Sequence, residues 1–149
     1  MSNNIKLTEK LAVLATLDPA SVAPGTVLTT WVPVINFHSF MALVQTGVLG
    51  ASATVDAKLR QAQDASGTGE KDVPNKAITQ IVAATGNNVQ ALLECRGEEL
   101  DSTNGFSFVA LSVTVGTAAS IVGAAFVGGN PRSAPVAGLN QAAVKQIVA

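Results

Sequence analysis

The sequence predicts an all-β protein, an antiparallel β-sandwich or barrel. Seven or eight short runs rich in β-branched, aromatic and other apolar residues follow one another at regular spacing. Glycine and asparagine turns separate these runs, and no long stretch has the period of an amphipathic helix. With 48% hydrophobic residues in a chain of 149, one domain can bury a full core without metals or disulfides.

The chain begins with a segment that we predict to be an arm, residues 1–19. Its apolar residues keep neither the helical nor the strand period, so the segment is expected to be extended or to form a short helix. Pro19 and the Pro24-Gly25 pair then interrupt the chain. Because chain termini become ordered only where something holds them, we expect the arm to reach across a neighbouring protein and to order there.

Residues with high strand propensity dominate Thr26–Phe37, where Pro33 indicates an edge strand or a bulge. After a break near His38–Ser39, the apolar run Phe40–Thr46 predicts another strand. The clearest alternation is in Ala53–Gln61. One face of that strand carries Ala53, Val55, Ala57 and Leu59, and the other, solvated face carries Thr54, Asp56, Lys58 and Arg60.

The middle of the chain is less regular, and a polar loop is predicted over Ala65–Asp72. Ala77–Ala83 and Val89–Arg96 are predicted as strands because Gly86-Asn87-Asn88 between them has the composition of a tight turn. A helix with Pro74 near its first turn is the alternative for the first of these two runs.

The last third of the chain contains the strongest short-range hairpin signal, Asn104-Gly105, followed by the alternating run Phe106–Val115. Ile121–Val127 is predicted to be the last strand. In the tail, Leu139, Ala143 and Ile147 share one helical stripe, which is compatible with a short docking helix. The predicted organisation is an arm (1–19), a β-sandwich domain (20–135) and a C-terminal tail (136–149).

Charged residues make up 13% of the chain, against roughly 25% in ordinary soluble domains, and the net charge is −1. Of the 19 charged residues (9 basic plus 10 acidic), 13 lie between Asp56 and Asp101. Pro19–Val55 and Ser102–Pro131 contain none. Because interface cores are poor in charge, we predict obligate self-association through these two uncharged runs, with the charged segment facing solvent.

Composition also argues against two classes of partner. The near-neutral charge disfavours a nucleic-acid binder that depends on phosphate contacts. Phe106–Val127 is the most apolar stretch of membrane-spanning length, but its alternation with serine and threonine favours a strand, so we expect no membrane association.

The sequence offers no catalytic, cofactor-binding or metal-binding constellation, so we predict a protein that is not an enzyme and needs no cofactor. The single histidine, His38, lies in an apolar stretch and is predicted to be structural or exposed. The single cysteine, Cys95, cannot form an internal disulfide and is predicted to be a small core residue.

Two further groups have the composition of a ligand site without its spacing. The acidic cluster Glu98, Glu99 and Asp101 lacks the alternation of a calcium loop. Gly67–Lys71 lacks the Gly-Lys-Ser/Thr ending of a phosphate-binding loop. The basic residues near these groups alternate with acidic ones and lack aromatic neighbours, which argues against a nucleic-acid platform: Lys58, Arg60, Lys71 and Lys76.

Several stretches of the chain resemble small structural proteins of tailed bacteriophages. The similarity covers about residues 26–135 and is carried by strands and loops, namely Phe40–Gly47, Ala53–Ala62, Asp64–Gly69, Ala77–Gln80, Glu98–Asp101, Ser112–Gly116 and Asn130–Arg132. The resemblance implies a virion protein, a capsid cement (decoration) protein with a jelly-roll-like sandwich on the outside of the major capsid shell. A head–tail connector or a tail component is the alternative role within the virion.

The partners implied by this resemblance are the major capsid protein and further copies of the chain, as a homodimer or homotrimer. A charge-poor chain without an active site suits that role, since many neutral contacts repeated over a shell can add up to a strong attachment.

Overall fold

The computed structural model describes residues 4–149, and their strands pair into two antiparallel sheets. In spatial order, sheet A contains β1 (Ala12–Val22), β10 (Ser120–Pro131), β4 (Phe37–Thr46) and β8 (Gln90–Arg96). Sheet B contains, in spatial order, β2 (Gly25–Leu28), β9 (Phe108–Gly116), β5 (Thr54–Ala62) and β6 (Lys71–Ala77). Two short strands complete sheet B: β3 (Val32–Pro33) beside β9, and β7 (Ile81–Val82) beside β5.

The order of the strands confirms the predicted fold class. The chain crosses from one sheet to the other after β1, β3, β4, β7, β8 and β9, so neighbours in a sheet are mostly distant in sequence. The spatial orders 1-10-4-8 and 2-9-5-6 describe a jelly roll of eight principal strands. Within residues 4–149, no helix is both long enough and apolar enough to cross a membrane.

The core lies between the two sheets. The predicted inner residues of β5, Val55, Ala57 and Leu59, are buried, and so is Leu111 of β9. Sheet A contributes three aromatic rings: the centroid of Phe40 is 5.9 Å from that of Phe126 in a stacked arrangement and 6.1 Å from that of Phe37, edge to face.

The beginning of the chain differs from the prediction. Residues 12–19, which we expected in an arm outside the sandwich, belong to β1 at the edge of sheet A, and Ala12 and Ala15 are buried there. Register shifts between Val13 and Ala15 and between Leu17 and Ala20 interrupt the alternation of side chains, which is why the sequence shows no strand period. A single helical turn, α1 (Leu7–Lys10), precedes β1, and residues 1–3 lie outside the described part of the chain.

Three predicted boundaries also change. The break near His38–Ser39 does not occur, because both residues continue β4. The polar loop after β5 ends earlier than expected, since Lys71 begins β6. Of Ala77–Ala83 only Ile81–Val82 forms a separate strand, and no helix forms there, whereas Val89–Arg96 is confirmed as a strand by β8.

The Asn104-Gly105 pair makes a turn but not a hairpin. Gly105 follows a 3₁₀ helix (Ser102–Asn104) and has a φ of 83°. Such a left-handed conformation favours glycine, because glycine has no Cβ atom. The strand before this turn is β8 in sheet A, and the strand after it is β9 in sheet B. The turn therefore joins two sheets.

The tail also differs from the prediction, because residues 136–149 contain a 3₁₀ helix (Ala137–Leu139) but no α-helix. They nevertheless dock on the sandwich. Val136 is fully buried, the backbone N–H of Val13 donates to Asn140 Oδ1 (2.8 Å), and the N–H of Gln141 donates to the Val13 carbonyl (2.8 Å). The tail thus lies along the free edge of β1.

We expect Leu111→Ala to lower the free energy of unfolding by about 2–5 kcal/mol, because it leaves a cavity between the sheets. Urea unfolding followed by circular dichroism measures the change. Leu7→Ala, in the exposed helical turn α1, is the matched control and should change it by less than about 0.5 kcal/mol. Equal effects of the two substitutions would show that the core is assigned to the wrong residues.

Candidate functional site

Several side chains with catalytic potential line one open groove. His38 is exposed on β4 and lines this groove of about 830 Å³ with Arg96, Glu98, Ser102 and Arg132. Among residues 4–149, its ring has no hydrogen-bonded acid or base partner. The structure therefore shows no pair of hydrogen-bonded side chains that would orient the His38 ring.

Cys95 is fully buried on the inner face of β8. Burial, followed by the negative charge of Glu99, raises the pKa of its thiol to about 11. The thiolate is the reactive form of cysteine, so this residue is unreactive at neutral pH and acts as a core residue.

The acidic cluster is used in separate ion pairs, which are Glu98 with Arg96 (3.3 Å), Glu99 with Lys76 (3.1 Å) and Asp101 with Lys71 (2.6 Å). The backbone N–H of Arg96 is the main cause that lowers the pKa of Glu99, and the Lys71 ammonium is the main cause that lowers the pKa of Asp101. No group of three or more His, Cys, Asp or Glu side chains in residues 4–149 could hold a metal ion.

The glycine-rich loop turns its amides inward. Asp64 Oδ1 accepts hydrogen bonds from the N–H groups of Ser66 (2.9 Å) and Thr68 (3.1 Å). The Thr68 side chain and these amides lower the pKa of Asp64. Gly67, at a φ of 85°, lies so close to the indole of Trp31 that a Cβ atom would be 2.7 Å from its Nε1. The loop is therefore packed against Trp31, and the amides bound by Asp64 are not available to a phosphate.

The basic residues singled out in the sequence are all neutralised by acidic neighbours. Besides the pairs of Lys71 and Lys76, Lys58 Nζ lies 3.1 Å from Asp72 Oδ1, and Arg60 Nε lies 3.6 Å from the same oxygen. They form a network of alternating charge across β5 and β6.

Charge is unevenly distributed within both sheets, since β2, β3 and β9 contain no charged residue and β8 contains two, Glu94 and Arg96. β5 and β6 of sheet B contain six charged residues, Asp56, Lys58, Arg60, Lys71, Asp72 and Lys76. The adjacent strands β1, β10 and β4 of sheet A contain one, Asp18. We call the solvent side of these three strands the uncharged face.

The uncharged face is shallow and apolar. Strand register places Thr16, Ala125 and Leu43 in one row across it, with Leu92 of β8 continuing the row. A groove of about 480 Å³ runs over Gly123 and Ala125, lined mainly by small and apolar side chains. Large apolar side chains remain in water on this side of sheet A: Leu92 is 63% exposed, Ile121 44% and Met41 37%.

Sequence reasoning found only part of this surface. It identified the uncharged runs that become β4 and β10, but it did not predict β1 as their neighbour. The signal that could have found β1 is its composition, since Ala12–Leu17 contains no charged residue.

We expect the stability of the protein to fall on acidification below about pH 4.5. Glu99 and Asp101 have ordinary pKa values of 4.5 and 3.8, and both are lowered in the folded protein. Their stabilisation is therefore present above the ordinary pKa values and is lost as pH falls through the lowered ones. Urea midpoints between pH 6 and pH 2 should fall less steeply in Asp101→Asn, because an amide does not titrate; identical slopes would contradict the assigned ion pair.

No family model matches the chain, and no curated protein does. Solved structures with a similar fold include a chain of Triatoma virus (12% identity, TM-score 0.48, 91% of this chain and 73% of that one). A chain of a Cowpea mosaic virus empty virus-like particle is similar at 9% identity (TM-score 0.47, 90% and 86%), and one from disulfide-linked pili, the Bacillus endospore appendages, at 11% (TM-score 0.38, 87% and 99%). These structures resemble this chain in fold alone. The jelly roll described above is assigned from the strand order of this chain.

Proposed function

We propose that this chain is a virion structural protein, a capsid cement (decoration) protein that binds the outside of a tailed-bacteriophage major capsid shell. The observation that carries the proposal is the uncharged face, where three adjacent strands present apolar side chains and a groove with one charged residue. The proposed partner, the major capsid protein, is the one implied by the resemblance of residues 26–135 to phage structural proteins.

A surface of this kind suits a protein interface for a simple energetic reason. Removing a charged side chain from water is costly unless it finds a partner, whereas removing apolar side chains from water is favourable. When another protein covers the uncharged face, only one charged side chain loses water, that of Asp18 at the margin of the groove. The ion-pair network on sheet B would lose much more on burial, so sheet B is the side that we assign to solvent.

The uncharged runs now have two explanations. Pro19–Val55 and Ser102–Pro131 supply β4, β9 and β10, which all lie between two neighbouring strands. Their inner residues lack charge because they form the core, and this part of the pattern needs no partner. The outer residues of β4 and β10 have no such reason, and we propose that the shell covers them.

The proposed role is contact and not catalysis. The acidic cluster is used in ion pairs, the thiol is buried, and His38 lies in an open groove. Such a protein acts by adding interactions between its own copies and the shell.

We expect Ala125→Lys to weaken binding to shells by about tenfold or more, because the long side chain would fill the groove and its ammonium would lose water there, with Asp18 at the margin as the one acidic residue of the lining. Thr26→Lys is the matched control: it adds the same charge on exposed β2, on sheet B, and should bind like the wild type. Co-sedimentation with purified shells that lack the protein measures binding, and urea unfolding checks that both variants fold.

Full-strength binding by Ala125→Lys, or an equal loss in both variants, would contradict the proposed surface. Stoichiometry in purified particles separates the two virion roles. A number of copies comparable to that of the major capsid protein supports a cement protein, and a few copies per particle would assign the chain to a connector or tail instead.

A further inference from the structure

Edge strands are the places where a β-sandwich can pair with another chain, because half of their backbone groups face outward. This sandwich has four edges: β1 and β8 in sheet A, the β2–β3 side and the β6–β7 side in sheet B. Natural proteins usually block such edges with bulges, prolines, charges or covering segments. Three of the four edges here are blocked in these ways.

The β1 edge has two register shifts and is covered by the tail, through Asn140 and Gln141. The β6 edge contains Pro74, which has no N–H, together with three charged residues. The β2–β3 edge is broken between Leu28 and Val32, where Thr29 Oγ1 accepts the N–H of Leu111 (2.9 Å).

The β8 edge has no bulge, proline or covering segment, although Glu94 and Arg96 are charged. β8 has seven residues without proline or glycine, and it pairs with β4 from Ser39–Arg96 to Gln45–Gln90 without a register shift. The N–H of Thr46 donates to the Val89 carbonyl, so Val89 faces β4. Because residues in a strand face alternate sides, Gln90, Leu92 and Glu94 direct their N–H and C=O groups away from the sheet.

Arg96 is the next residue whose backbone N–H points away from the sheet, but this N–H already donates to Glu99 Oε2 (2.6 Å). Among residues 4–149, the outward backbone groups of Gln90, Leu92 and Glu94 have no hydrogen-bond partner. The free stretch is thus symmetric about Leu92, whose side chain is 63% exposed.

We propose that β8 pairs antiparallel with β8 of a second copy, about a two-fold axis through Leu92. This places the contact between copies in the charged segment Asp56–Asp101, and not in the two uncharged runs through which the sequence predicted self-association. In that register, Leu92 lies opposite the partner's Leu92, and Gln90 lies opposite the partner's Glu94. Each facing pair can exchange both of its N–H···O bonds, and Arg96 keeps its bond to Glu99.

The side chains agree with this register. It joins two exposed leucines, and it sets an amide donor against a carboxylate at both ends. A shift of the axis to Glu94 would place two carboxylates directly opposite each other, which is unfavourable. The complementarity of the strand to itself is what selects a second copy as the partner.

The geometry deepens the proposed function without depending on it. Antiparallel pairing in one sheet keeps facing side chains on the same side, so the two uncharged faces would lie on one side of a joined sheet, with the two β8 strands and their Glu94 and Arg96 side chains between them. The apolar row of Ala125, Leu43 and Leu92 would continue through the axis into the second copy. A dimer of this form could attach to two sites on a shell at once.

The experiment measures self-association of the full-length protein by sedimentation equilibrium. We expect a dimer in the wild type and at least about tenfold weaker association in Leu92→Asp, since two carboxylates then face each other at the axis. Ile121→Asp is the matched control, because it adds the same charge to an exposed residue on the same side of sheet A, two strands away from the edge. It should leave the dimer unchanged.

A second measurement tests the position of the axis directly. Leu92→Cys should form a covalent dimer with a short bis-maleimide cross-linker, and Ile121→Cys should not. The native Cys95 stays silent because it is buried. A monomeric wild type at tens of micromolar, or loss of the dimer in Ile121→Asp but not in Leu92→Asp, would overturn the proposal.

The two proposals can fail separately. A dimer that does not bind shells contradicts only the proposed function, and shell binding by a monomeric wild type contradicts only the β8 pairing. Urea unfolding of the Leu92 variants excludes misfolding as the cause of dissociation.

Discussion

The position of β10 between β1 and β4 is the constraint on which sheet A depends. β10 provides hydrogen-bond partners to both neighbours over most of its length, and without it β1 would have no sheet to join. Both partners lie near the beginning of the chain, so sheet A closes only when nearly the whole chain is present. Pairings over such sequence distances are entropically costly to form, which makes folding of this topology slow compared with that of a helical bundle.

The packing at β10 explains its composition. Gly128 lies against Phe37 so closely that a Cβ atom would be 2.7 Å from its ring, and Phe126 stacks on Phe40. Small residues of β10 therefore shape the surface on both sides of sheet A. Inside, they make room for aromatic rings of β4; outside, Gly123 and Ala125 form the base of the groove. The groove and the aromatic cluster are two results of one glycine- and alanine-rich strand.

Local patterns predicted those parts of the fold that local interactions decide. β5 alternates cleanly because it has one buried and one solvated side, and its inner residues were predicted correctly. β1 was missed because its register shifts remove the alternation, and the Asn104-Gly105 turn was recognised without the sheet that follows it. Turn chemistry fixes the backbone of a few residues, whereas the sheet that the next strand joins depends on the remaining chain.

The candidate surface could be predicted only in part for the same reason. The absence of charge in the runs that become β4 and β10 is visible in the sequence, but their adjacency to β1 is a long-range fact. The open edge at β8 is similar, since nothing in Gln90–Arg96 alone reveals that the three other edges are blocked. The pairing of Lys71 with Asp101 also joins positions thirty residues apart.

The contact between Trp31 and Gly67 has an optical consequence. Trp31 is the single tryptophan of the chain, which has no tyrosine, so the intrinsic fluorescence of the folded protein comes almost entirely from one indole. That indole lies in the interruption between β2 and β3 and rests on the turn that follows β5. Its emission therefore reports the local opening of this corner of sheet B, and a melting curve recorded by fluorescence can precede one recorded from the backbone of sheet A.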